Sequence, residues 1–151
     1  MMKKICFCAL LLCGGASQAF DGTQKYVTKS AGVQHTLALS HWQVDRKGVP
    51  SFDYTYQQQA GACSFKLEGK VVAGFDEQGG KVELEVMNPE DENGKELPQV
   101  LMFYDDTLTM SLPLKGAPRR VGLNSTRLTA AQRAHSCGAG TKERLAVSFR
   151  Q

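Results

Sequence analysis

Beyond position 20 the side chains most suited to acid–base or nucleophilic chemistry are His35, His41, His135, Cys63 and Cys137. No HExxH or Cys-x-x-Cys pattern occurs, so the usual zinc spacings are missing. There is no Gly-x-Ser-x-Gly elbow, and Gly79-Gly80 falls in a hairpin pattern, not in a phosphate-binding loop before a helix. His135 stands two residues from Cys137, where helical side chains point in different directions, and a sulfur held in a disulfide cannot attack. The expectation is a protein that is not an enzyme and that uses no cofactor or metal.

Carboxylates are the other conspicuous chemistry. The segment 88–96, Asn-Pro-Glu-Asp-Glu-Asn-Gly-Lys-Glu, offers closely spaced oxygens at Asp91, Asn93 and Glu96. Calcium requires several such ligands, but the spacing departs from an EF-hand loop, and Lys95 puts a positive charge inside the cluster. These residues read instead as an exposed partner-binding surface made of Glu90, Asp91, Glu92 and Glu96 with the Tyr104-Asp105-Asp106 turn. Between Asp76 and Asp106 ten acidic residues face Lys81 and Lys95, a net of −8, while from Thr107 onward eight basic residues face Glu143, a net of +7. The two halves either neutralise each other across strand pairs or form separate faces that steer partners.

The elements that position these groups begin after residue 19. Lys3 and Lys4, the apolar run Ile5 to Cys13, and Ala16-Ser17-Gln18-Ala19 make the n-region, h-region and small-residue site of a secretory signal peptide, so residues 1–19 read as an export signal. That run is too short to span a bilayer. Cys13-Gly14 is the one place for a lipoprotein cysteine, and the bulky Leu12 before it argues against acylation. Residues 20–151 are expected to form a single exported domain, periplasmic or secreted, with no membrane insertion after cleavage.

Cleavage leaves Cys63 and Cys137 as the only cysteines, and an even pair in an oxidising compartment reads as a disulfide. Period-two alternation dominates the rest of the chain. Phe52, Tyr54 and Tyr56; Cys63, Phe65 and Leu67; Val82, Leu84 and Val86; Leu108 to Leu114; and Leu145, Val147 and Phe149 each mark a half-buried strand, with two more over Val33–Val44 and Val100–Tyr104. Hairpin turns are expected at Glu68-Gly69-Lys70-Val71, at Gly79-Gly80 and at Asp105-Asp106. The apolar parity changes between Leu39 and Trp42, which predicts a bulge. Pro113 marks a strand end or edge, and Asn124-Ser125-Thr126 reads as a loop. Thr129-Ala130-Ala131-Gln132 has capping-box spacing and predicts one short helix through His135, ended by Gly138.

The fold class is therefore mainly β: an antiparallel β-sandwich or partly open barrel of about seven to eight strands, with one short helix in the C-terminal half and one disulfide. Nucleic-acid binding is not expected, because the charge is balanced overall and the aromatic residues sit in core positions. A small, stapled β scaffold with exposed charged loops and no catalytic set is similar in general form to the small periplasmic lysozyme inhibitors and to immunity proteins for periplasmic effectors. That likeness of shape and compartment implies an inhibitor or immunity protein whose protein partner is a secreted cell-envelope hydrolase. The alternative is a periplasmic small-ligand-binding or structural envelope protein, with Trp42, Tyr54, Tyr56 and Phe103 lining a pocket.

Overall fold

The computed structural model describes residue 20 and residues 22–114, 118–137 and 144–151. The expected export signal, Cys13, Gly138 and Glu143 lie outside the described residues. In chain order the elements are β1 (Gln24–Ser30), β2 (Val33–Val44), β3 (Pro50–Ala60), β4 (Cys63–Ala73), β5 (Phe75–Gln78), β6 (Lys81–Leu84), β7 (Val86–Met87), β8 (Val100–Tyr104), β9 (Thr109–Pro113), β10 (Arg120–Ser125), α1 (Ala130–His135) and β11 (Leu145–Arg150).

The main sheet runs β1-β2-β3-β4-β8-β9-β10-β11, with every neighbour antiparallel, and β7 pairs with β8 beyond the end of β4. Since β1 and β11 lie side by side, the sheet is a nearly closed up-and-down barrel. Side chains close the seam. The Tyr26 hydroxyl donates to the Pro118 carbonyl at 2.5 Å, and the Tyr26 and Phe149 rings meet edge to face at 6.3 Å.

Alternation explains the filling. Along β3, Phe52, Tyr54, Tyr56 and Gln58 point inward and are buried, while Asp53, Thr55 and Gln57 face outward. An eight-stranded barrel has an interior just wide enough for side chains. Here Leu37, Leu39, Phe52, Tyr56, Phe103, Met110, Leu112, Leu123 and Phe149, each without measurable exposure, occupy it. Trp42, Tyr54, Tyr56 and Phe103 therefore pack in or against this core.

The two barrel ends differ in chemistry. At one end Phe20, Trp42, Phe52 and Phe103 form an aromatic cluster, with Phe52 and Phe103 centroids 4.7 Å apart and Trp42 stacked on Phe52 at 5.9 Å. Trp42 reaches it through the expected bulge. The β2–β3 register shifts between Ser40 and Gln43, and His41 takes a left-handed φ of 54°, so Leu39 and Trp42 both turn inward. At the other end lie His35, Gln58 and α1. Thr129 caps this helix with a complete capping box, and the Cys63–Cys137 disulfide ties the chain beyond it to β4.

Several strand boundaries correct the sequence reading. β4 runs straight through Gly69, which lies opposite Tyr54; a Cβ there would meet the Tyr54 hydroxyl at 3.2 Å and Asp105 Oδ2 at 3.1 Å. That glycine provides room for a neighbour, so the turn expected there is absent. The alternation Val82-Leu84-Val86 is split between β6 and β7, because Glu85 leaves the hairpin to bond back to the barrel. Asn124 and Ser125 belong to β10, where Ser125 is buried and donates to the Thr107 carbonyl. β1, β5 and β10 carry too few strongly alternating apolar residues to stand out. Pro113 does end its strand, although β9 is flanked on both sides.

Candidate functional site

Between β4 and β8 the chain leaves the barrel wall and builds an arm over residues 74–99. Its foot is a set of three backbone bonds: Gly74 N–H to the Met102 carbonyl at 2.9 Å, Glu85 N–H to the Gly74 carbonyl at 2.7 Å, and Met102 N–H to the Glu85 carbonyl at 3.1 Å. A Cβ on Gly74 would lie 2.4 Å from Glu85 Oε2 and 2.8 Å from the Tyr104 ring, so any larger residue at the departure point must displace both side chains. The Tyr104 hydroxyl donates to Glu85 Oε1 at 2.7 Å, and burial, reinforced by that carboxylate, pushes the phenol up to about 12.

β5 and β6 form a separate two-stranded hairpin closed by Gly79-Gly80, both at positive φ as a primed turn demands. One face carries Phe75 opposite Leu84, Val82, which like Leu84 packs against the core, and Glu77, whose carboxylate accepts from Lys47 at 2.6 Å. The other face carries Asp76 directly opposite Glu83, with Gln78 and Lys81 beside them around a shallow cleft of about 270 Å³. Phe75, Val86 and Met87 are 45, 40 and 46% exposed, a concentration of large apolar surface on a short segment.

The loop after β7 is folded by one carboxylate. Asp91 Oδ1 accepts the Asn93 and Lys95 amides at 2.9 Å each, and the Asp91 amide donates to the Lys95 carbonyl at 2.9 Å. This sets Glu90 opposite Glu96 in a two-residue bridge, with Glu92 exposed at the tip. Among the described residues no group of three His, Cys, Asp or Glu side chains converges as metal ligands would.

The expected site residues thus divide. Glu90, Asp91, Glu92 and Glu96 lie together on the arm. Tyr104 sits at its foot, while Asp105 and Asp106 lie past the far end of β8, in the turn to β9. Asp105 is a structural acceptor: Oδ1 takes the Thr107 and Leu108 amides at 2.7 Å and Oδ2 takes the Tyr54 hydroxyl at 2.7 Å. Sequence reasoning misses Phe75, Asp76, Glu83, Val86 and Met87, since strand alternation alone does not tell a hairpin outside the barrel from a strand of its wall.

The histidines do not assemble a relay. His35 is buried, with Nδ1 2.8 Å from the Tyr56 hydroxyl. His41 is exposed, and its Nδ1 lies 2.8 Å from Asp53 Oδ2 and 3.4 Å from Ser40 Oγ. A Ser-His-Asp relay needs serine and carboxylate on opposite ring nitrogens. Here both approach the same one.

The basic segment touches the acidic one at Arg127, whose guanidinium donates to the Asp105 carbonyl at 3.4 Å. The described salt bridges are His41–Asp53, Lys47–Glu77 and Lys66–Glu68, and none joins the acidic segment 76–106 to the basic segment that follows. Compared with known protein families, with curated proteins and with solved structures, the chain finds no match in any of the three.

Proposed function

We propose that this chain is an exported binding protein that offers its acidic arm to a basic surface of another protein, and that its partner is a secreted cell-envelope hydrolase, which it neutralises as an inhibitor or immunity protein. The observation that carries this reading is the composition of the arm. It stands outside a barrel filled with its own side chains, and it groups exposed Phe75, Val86 and Met87 among Asp76, Glu83, Glu90, Glu92 and Glu96. Apolar anchors ringed by charge are the general make-up of a protein-binding patch. Opposed carboxylate pairs, Asp76 with Glu83 and Glu90 with Glu96, are unfavourable alone and are relieved by an approaching cation. An active-site cleft of a basic hydrolase supplies such cations.

The test is capture of hydrolases from envelope and secreted extracts on immobilised protein, followed by a peptidoglycan-lysis assay with each purified enzyme. Stoichiometric inhibition is expected, weakened at least tenfold by Glu83→Lys with Glu90→Lys and by Met87→Ala. Retained inhibition by these variants would remove the arm from the interface, and failure to inhibit any captured enzyme would remove the function.

A further inference from the structure

The strand order places two opposite charges on opposite sides of the barrel. Counting round the eight wall strands, the β4–β8 junction that carries the arm faces the β11–β1 seam across the full width of the barrel. The outer wall at that seam is cationic. β1 presents Lys25 and Lys29 outward with Val27, 56% exposed, between them; β11 presents Arg150, and β10 presents Arg120 directly opposite it. All four cations are exposed, and the described residues of 22–44, 107–114, 118–137 and 144–151 contain no Asp or Glu.

Directly opposed like charges destabilise a strand pair. The described residues include a cationic pair, Arg120 with Arg150, on the wall, and an anionic pair, Asp76 with Glu83, on the outer face of the hairpin. Each is what the other lacks, and among the described residues no salt bridge joins them within one molecule. Two guanidinium forks match two carboxylates in geometry, and Val27 offers apolar surface to Met87.

We propose that the cationic wall is the docking surface for the acidic arm of a second copy of this chain, so that copies join head to tail. The contact is heterologous, with donor and acceptor surfaces on opposite sides, so it adds further copies in a line and does not close at a dimer. It does not depend on the hydrolase reading, because both surfaces are read from this chain; a hydrolase on the arm and a second copy would compete. Surface charges of this kind are screened as the Debye length falls from about 30 Å at 0.01 M salt to about 3 Å at 1 M.

Sedimentation of the purified, disulfide-bonded protein tests this. At low salt the weight-average mass should rise steadily with concentration to at least twice the monomer, and should return to monomer at high salt. A wall variant, Arg120→Gln with Arg150→Gln, and an arm variant, Asp76→Asn with Glu83→Gln, should each be monomeric with unchanged circular dichroism. Mixed in equal amounts, opposite-sense defects leave one intact arm and one intact wall, so a 1:1 dimer that grows no further is expected. A wild-type protein that stays monomeric at low salt overturns the proposal, as does assembly that survives in the wall variant. Monomer that instead co-sediments with phosphatidylglycerol vesicles, and not with phosphatidylcholine vesicles, would overturn it in favour of a lipid phosphate surface.

Discussion

The backbone amide of Cys137 donates to Oε1 of Gln58 at 2.8 Å, joining residues 79 positions apart inside the barrel. Because a backbone amide only donates, this bond fixes which end of the Gln58 amide is oxygen. Nε2 then donates to the Tyr56 hydroxyl at 2.9 Å, and the phenol's own proton is left for His35 Nδ1 at 2.8 Å. The chain thus sets His35 as the neutral tautomer with its proton on Nε2, and it locks the helix end of the barrel beside the disulfide.

Gln58→Leu removes an acceptor from one buried donor and a donor from a buried phenol. A buried polar group left without its partner costs about 1–3 kcal/mol, so a loss of about 3 kcal/mol is expected in urea unfolding of the oxidised protein. A loss below about 1 kcal/mol would mean that the chain carries little of the stability.

Stability should fall at both extremes of pH. Burial holds His35 below its ordinary value of 6.5, so between that value and the folded one the unfolded chain binds more protons. Stability therefore rises with pH across that window and is lost on acidification through it. Burial pushes Tyr26 and Tyr56 up to about 12 from 10.0, so above pH 10 the unfolded chain ionises first and stability falls as pH climbs towards 12. Tyr54 is raised as well, by burial and then by its bond to Asp105. Thermal melts of His35→Gln should show a flattened limb just below pH 6.5 and an unchanged alkaline limb. An acid limb identical to wild type would assign that loss to other groups.

Cys63 and Cys137 are 74 positions apart, and closing a loop of that length lowers unfolded-state entropy by an amount worth at most about 4.5 kcal/mol. Paired Cys63→Ser and Cys137→Ser replacements should cost about 2–4 kcal/mol in guanidinium unfolding. The capping box and the Gln58 bond remain, so the barrel's far-ultraviolet spectrum should persist.

His41 occupies a left-handed conformation that side chains disfavour by about 1–2 kcal/mol. His41→Gly should leave stability within about 1 kcal/mol of wild type, since lost strain and added unfolded-state entropy oppose each other. A β-branched side chain fits that φ worse than histidine does, so His41→Val should be clearly destabilised. Fluorescence of the single tryptophan, Trp42, reports whether the aromatic end is disturbed. Equal stability of the two variants would argue against strain at the bulge.

Features set by neighbouring residues are legible in the sequence itself. Thr129 and Gln132 carry their capping box within four positions, Gly79-Gly80 carries its turn, and the parity change before Trp42 requires a bulge whatever surrounds it. Gly69 misleads because glycine has two uses, and only the facing Tyr54 shows which applies. β10 is hidden because Gly122 and Asn124 dilute its alternation. On the arm, the acidic loop is visible as composition, but the hairpin's position outside the wall depends on the pairing of Gly74, Glu85 and Met102, a tertiary contact. Asp105 illustrates the same gap: in sequence it is one acid among ten, and in the fold its carboxylate holds a turn and a buried tyrosine.

An even number of alternating wall strands makes β11 end at the same rim where β1 begins. A short peptide could therefore join the end of β11 to the start of β1 without crossing the barrel. New ends could then be cut at Gly79-Gly80, and every wall pairing would keep its partner. In such a circular permutant the seam strands become covalent neighbours, and the two hairpin strands become the chain ends. The permutant would then read how much of the barrel's stability depends on a continuous hairpin, whose Val82 and Leu84 pack against the core.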